Sequence, residues 1–412
     1  MGSEAKTLGE RIRTLRKMRQ MTVGALAAEV NISRSYLEKI ENGSRTPPNA
    51  LIIRLAKALD VGPERLHGQP YFNHAESEER VQAIIPPLRR IMLTYDSPDD
   101  LQVEPRPLQV LAVETEHVSR MRRDGAYAPM GPLLPPLLTE LTHVALGSSG
   151  REREKAFGLL ARAYRAANSL AHKLGYHDLS VTAIERVRWA ADRSADPLMQ
   201  ITADYLKAGA MIRVGTFSSA RQLLERLAEQ VERLAPEGSM TEQQLAVQGA
   251  VLLKLAILEA RDGHPERAAQ YLHEAETAAA FGGNRDTDFY EMSFGPTNTR
   301  IHKVAVLIDS GDAEQALARI REWGEQQGRE EWELPGGFPA ERTSHHYIDV
   351  AAAKLTVGDR RGSFASLQIA RQISPVHTRF HPTTRHTVAA LARLERHSSE
   401  TVAGYARWAG AI

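Results

Sequence analysis

Between Leu8 and Leu66, apolar residues return at helical spacing in five short runs separated by turn-forming residues. Leu8, Ile12 and Leu15 form the first stripe, with Arg11, Arg13, Arg16, Lys17 and Arg19 on the outer faces. Thr22 stands where it can cap a second run made by Val23, Leu26, Ala27 and Val30. Asn31 follows, a residue that tolerates the left-handed backbone of a tight turn. Ser33 caps a third run from Arg34 to Asn42, which Gly43 stops. Leu37 and Ile40 point inward there, leaving Arg34, Ser35, Tyr36 and Lys39 on the exposed side. Pro48 opens a fourth run carrying Leu51, Ile52, Leu55, Ala56 and Leu59, and Gly62-Pro63 ends it before a short fifth turn through Leu66. This pattern predicts five helices over residues 7–68. A three-residue turn between the second and third makes them a helix-turn-helix.

Residues 73–107 read as a connector. The span Glu76–Tyr95 has helical character interrupted at Pro86-Pro87, and "DSPDD" and "EPRP" mark a loop. It can act as a pivot between two domains or as a plain spacer. Beyond it, glycines punctuate the chain at Gly125, Gly175, Gly215, Gly263, Gly311 and Gly358, spaced 50, 40, 48, 48 and 47 residues apart. Ala220, Ala268 and Ala316 each lie five residues after one of them, and Ser363 holds the corresponding place after Gly358. A small residue there lets the second helix of a hairpin lie close on the first. Alternating strand patterns are absent. The expected fold is all-α: a five-helix domain (1–72), a helical linker (73–107) and a solenoid of five or six helical hairpins (108–412), closed by helices from Thr384 to Trp408.

Charge sharpens this division. Residues 1–72 hold 12 Lys+Arg against 7 Asp+Glu, and the remainder 40 against 44, although the whole chain is only +1. A small basic domain on a mildly acidic body suits a nucleic-acid binder with a separate module. The Cys count of 0 excludes disulfides and thiolate metal sites and fits a cytoplasmic location. No apolar run reaches the ~18 residues needed to span a bilayer, and the N-terminus lacks the order of a signal peptide.

The segment "SRSYLEKIENGSRTPP…LIIRLAKALDVGPERL" resembles the xenobiotic-response-element (Cro/C1-type) family of bacterial regulators. The resemblance implies that helix three enters the major groove of double-stranded DNA with Arg34, Ser35 and Tyr36 at base edges. Lys39 would reach a base or a phosphate, and Arg34 has the fork that suits guanine. Thr22, Asn42, Ser44 and Arg45 would hold the phosphate backbone. Val23 departs from the Gln that relatives commonly carry after the helix-two cap, so operator choice is not transferable. The Gly-x4-Ala turns resemble the tetratricopeptide repeat, although that unit is ~34 residues long. As a whole the chain is similar to regulators in which such repeats follow the helix-turn-helix. One group senses peptide pheromones. A second, from high-GC bacteria, is the closer by "GQPY…PPLRRIMLTYD…REREKAFGLLARAYRAANSLAHKLGY…FGPTNTRIHKVAVLIDSGD" and implies no particular ligand.

No phosphate loop, dinucleotide fingerprint, nucleophile elbow or zinc-protease motif is present, so no catalytic residue is assigned and no enzyme or cofactor is expected. His377 and His381 are four apart, with His386 nearby and His345-His346 one hairpin earlier, but a loop and the lack of a completing ligand argue against a metal. The better candidate is the concave face of the solenoid, lined by the first helix of each hairpin. Asn298, His302 and Asp309 share one such face, and Arg342, His345, His346 and Asp349 another. Asn can pair with a peptide backbone and Arg with a carboxylate, which suits a short peptide or a small acidic metabolite. Gly295-Pro296-Thr297 would start a helix with its amides aimed at an anion. Together these features predict a ligand-responsive transcription regulator, acting as a homodimer on a palindromic operator, with no membrane association. The alternative is an adaptor whose groove takes a partner protein while the helix-turn-helix tethers it to DNA.

Overall fold

A computed structural model describes residues 7–71, 82–98, 101, 103–235, 239–394 and 400–412. The amino-terminal domain holds α1 (Leu8–Met18), α2 (Val23–Glu29), α3 (Arg34–Glu41), α4 (Asn49–Ala58) and α5 (Pro63–His67). Each boundary has a local cause. Thr7 and Glu10 form a reciprocal capping box at α1. The Thr22 hydroxyl accepts the Ala25 N–H, and the Ser33 hydroxyl accepts the Tyr36 N–H. Asn31 takes φ 53°, turning the chain between α2 and α3. Ile12, Leu26, Leu37, Ile40, Leu55 and Leu66 close a core separate from the others. Beside that core, Arg16 forms a buried two-pronged pair with Glu41, at 2.6 and 2.8 Å.

Of the connector, 72–81 lies outside the described residues, so the first part of the Glu76–Tyr95 helix is not placed. Its second part is α6 (Ile85–Leu93), with Pro86 and Pro87 in the first turn, where their missing N–H groups cost nothing. Ile85, Leu88 and Met92 are buried in the core of the following region.

The body continues with α7 (Leu108–Arg123) and α8 (Leu134–Gly147), then five hairpins. These are α9 (Gly150–Lys173) with α10 (His177–Ala191), α11 (Pro197–Arg213) with α12 (Phe217–Arg233), and α13 (Glu242–Asp262) with α14 (Pro265–Phe281). Then come α15 (Pro296–Asp309) with α16 (Ala313–Gln326), and α17 (Ala340–Thr356) with α18 (Arg360–Ile373). A short α19 (Pro375–Phe380) leads to the closing helices α20 (Pro382–Leu394) and α21 (Glu400–Trp408). Among the described residues there is no strand, only an isolated bridge between Thr287 and Phe294.

The glycine punctuation has a backbone reason. Gly175, Gly215, Gly263, Gly311 and Gly358 lie in the five hairpin turns with φ between 79° and 92°, a region closed to most side chains. Ala220, Ala268, Ala316 and Ser363 are fully buried where the helices meet. One insertion interrupts the regularity. Residues 282–295, between α14 and α15, run back across the inner face, and Phe294 lies over Gly249 of α13. A Cβ on Gly249 would stand 2.0 Å from the Phe294 ring. Gly249→Ala is therefore expected to lower stability by about 1–3 kcal/mol, read as a fall in the denaturation midpoint.

The amino-terminal domain is seated against the solenoid. Ile53 of α4 meets the Gly215 turn. His67 stacks on His386 with ring centres 5.1 Å apart, and the Arg385 guanidinium lies 3.6 Å from the centre of the Tyr71 ring.

Candidate DNA interface and central cavity

Arg34 and Ser35, at the start of α3, are exposed. The Arg34 Nε donates to Glu38 Oε1 at 2.9 Å, one turn on, an exposed pair that a stronger acceptor can displace. Tyr36 is half-buried and Lys39 exposed, and both side chains stand on the wall of a cavity between the two domains. The residues expected at phosphates have further duties. Thr22 caps α2. The Asn42 Oδ1 accepts the Ser44 N–H at 3.0 Å and its hydroxyl at 2.6 Å, fixing the turn after α3. Arg45 donates to the Thr356 carbonyl at 3.1 Å, and Arg393 donates to the Gly43 carbonyl at 3.0 Å. The end of a helix leaves such carbonyls without internal partners, which is why α17 offers Arg45 an acceptor. In this arrangement the α3–α4 loop is held by the body and not turned wholly to solvent.

Behind that loop lies a cavity of about 920 Å³. The first helix of every hairpin contributes to its wall, with the end of α7 and one face of α20. His302, Asp309, Arg342, His345 and Asp349 line it. Asn298 and His346 are not among the lining residues. Asn298 is buried and its amide donates to the Ser293 carbonyl, holding the 282–295 insertion. His346 is buried against the Trp332 ring. The anion site expected at Gly295-Pro296-Thr297 is also internally occupied: Asp286 Oδ1 accepts the Thr297 N–H at 3.0 Å, so the positive end of α15 is already answered.

Sequence reading missed the cations that share the cavity, notably Arg165, Arg213 and Lys254. Each sits on a first helix, but the local pattern does not show which face the superhelix turns inward. Burial, with Arg213, Arg165, Arg342 and Arg261 nearby, holds the Lys254 ammonium well below the usual lysine range. Burial and Arg342 depress His302 to about 3. Burial and Asp309 lift the Asp349 carboxyl to about 7. In the inserted segment, Glu291 meets Arg122 at 2.8 Å, Arg162 at 3.1 Å and Arg165 at 3.7 Å, and accepts the Ser119 hydroxyl at 2.7 Å.

At the cavity edge His345, His377 and His381 converge, their donor atoms within 4.8 Å of one another. The fold thus adds His345 to the pair noted in the sequence. The spacing would admit a divalent cation, and two carboxylates stand beside it: Asp349, 3.5 Å from His345, and Glu341, which already pairs with Lys173 at 2.6 Å.

Among the described residues, no helix is long and apolar enough to cross a membrane. The helix-turn-helix domain family matches residues 7–67. An immunity repressor protein of Bacillus phage phi105 is 31% identical over 136 residues, covering 30% of this chain and 93% of that protein. The transcriptional repressor RghR of Bacillus subtilis (strain 168) is 40% identical over 62 residues, covering 15% of this chain and 46% of that one. The crystal structure of Bacillus thuringiensis PlcR in complex with the peptide PapR7 and DNA aligns with 68% of this chain and all of its own, at 16% identity and a TM-score of 0.25. The matched segment is the same five-helix unit whose caps, core and exposed third-helix face are described above, and on that unit the chain belongs to the Cro/C1-type family of helix-turn-helix, DNA-binding transcription regulators.

Proposed function

We propose that this regulator is ligand-responsive: the solenoid cavity takes a small effector, and its occupancy sets how the helix-turn-helix domains of a homodimer are presented to a palindromic operator. The observation that carries this reading is the shared wall. Tyr36, Lys39, Ser44 and Arg45, which the family resemblance gives to DNA, border the same cavity as the first helices of all five hairpins. An effector that binds one inter-domain arrangement more tightly than another shifts the population able to span two half-sites. In the seated arrangement Arg45 is committed to Thr356. Release of that bond would return a cation to the DNA.

On the DNA side, Arg34, Ser35 and Tyr36 read bases, Lys39 reaches a base or phosphate, and Thr22, Asn42, Ser44 and Arg45 fix the register. Arg34→Ala is expected to weaken operator binding by about 1–3 kcal/mol and to relax base choice. Arg45→Ala should weaken operator and random DNA alike. Equal losses for both variants on every sequence would refute the groove assignment. The whole reading is tested by selecting genomic fragments with full-length protein at two salt concentrations. A palindrome with regular half-site spacing supports it. Sequence-blind binding that disappears with salt, with or without the effector, overturns it.

A further inference from the structure

The cavity wall is charged out of proportion to the chain. It carries eleven Lys and Arg side chains and four carboxylates, in a protein whose net charge is +1. The four acids are largely spoken for. Glu291 is shared by three arginines, Asp309 pairs with Arg261 at 2.8 Å, and Glu341 with Lys173. Asp349 lies 3.5 Å from His345, and burial keeps part of it protonated near neutral pH. Against this, Arg213 and Arg342 make no hydrogen bond and no ion pair within 4 Å among the described residues. Lys254 has only the Tyr205 carbonyl at 3.1 Å and the face of the Tyr205 ring. Two of these cations lie together. The point where a Cβ would stand on Gly209 is 3.0 Å from Lys254 Nζ and 3.6 Å from Arg213 Nη1. Gly209, in mid-helix, thus leaves room for both side chains to lie over α11.

Like charges held together away from bulk water, and outnumbering the carboxylates beside them, raise the free energy of the empty site. A bound anion removes that penalty and gains charge-assisted hydrogen bonds from two planar guanidiniums and an ammonium. We propose that the cavity is the binding site of a small organic anion with two or more negative charges, a phosphate ester or a polycarboxylate, gripped by Arg213, Lys254 and Arg342. Its uncharged body lies against Tyr205, Ile257 and Ile301, which line the same wall. The volume falls in the range of small-molecule sites. This assignment rests on the effector reading above and gives the effector its chemistry, favouring a polyanion over a neutral peptide.

The test is calorimetric titration and thermal melting of the full-length protein with two probes, pyrophosphate and citrate, at ionic strength held constant with sodium chloride. Saturable binding of one molecule per chain is expected, with a concentration-dependent rise in Tm. The preferred probe tells phosphate from carboxylate chemistry. R213A and R342A should each weaken binding tenfold or more, and K254M similarly. R226A, an exposed control on α12, should bind normally. Because the substitutions remove like-charge repulsion, the empty variants should melt no lower than the native protein, so lost binding will not be lost folding. Absence of saturable binding by either probe, or equal binding by R213A, R342A and R226A, overturns the assignment. If the probe binds through these cations and operator affinity does not change, the site stands and the effector reading falls. If only an uncharged peptide pool binds and alters operator affinity, the effector reading stands and the anion assignment falls.

Discussion

Replacing Glu41 with alanine is expected to cost about 3–5 kcal/mol, because it leaves the Arg16 guanidinium buried without its carboxylate. The pair bridges α1 and α3, both side chains under 10% exposed. The remaining Arg16 contact, to the Met21 carbonyl at 2.9 Å, cannot supply a counter-charge. Since the five-helix domain closes its own core, the loss should appear as an early melting step and as loss of DNA binding. A double replacement, Arg16→Met with Glu41→Leu, should recover most of that stability, because an apolar pair of similar volume avoids the desolvation of both ions. If E41A melts and binds DNA like the native chain, the buried pair has no such role.

Glu291→Ala should be of similar size, at about 3–5 kcal/mol, and should act on the body. Glu291 is the centre on which Arg122, Arg162 and Arg165 converge, so its removal leaves Arg122 and Arg165 without a carboxylate and Arg162 with Glu116 alone, and loosens the 282–295 insertion against α7 and α9. Its pH dependence separates this effect from simple loss of packing. Burial alone would raise the carboxyl pKa, but Arg122, Arg165 and Arg162 prevail and hold it at about 2, against 4.5 for the free group. A depressed folded pKa stabilises fully above 4.5 and progressively less as the pH falls toward 2. The linked contribution is on the order of 3 kcal/mol. The difference between native and E291A chains in urea midpoint should therefore be constant above about pH 5 and shrink below about pH 4.5. A difference independent of pH would show that the carboxylate charge is not what the arginines need.

By itself the sequence determined the parts that depend on neighbours along the chain. The five amino-terminal helices follow from Thr22, Ser33 and Gly62-Pro63 at their boundaries, and from Asn31 in the turn, because capping and left-handed turns are satisfied within a few residues. The hairpin series follows from Gly175 to Gly358 for the same reason: each turn needs a positive φ that glycine supplies without strain. The candidate DNA residues on α3 were legible because an amphipathic period leaves one face outward. The cavity was only half legible. Periodicity separates apolar from polar faces but does not say which polar positions a superhelix turns inward, so Arg213 and Lys254 were missed while His302 and Arg342 were noted. Tertiary structure decided the rest. It folded the 282–295 insertion across the inner face, which withdrew Asn298 and filled the positive end of α15 with Asp286. It also brought His345 to His377 and His381 and seated Arg45 on Thr356. Those contacts join residues 5 to 311 positions apart, and the ones between separate elements exist only once the solenoid has curved, because curvature is a sum of small rotations over many hairpins that no local stretch of sequence encodes.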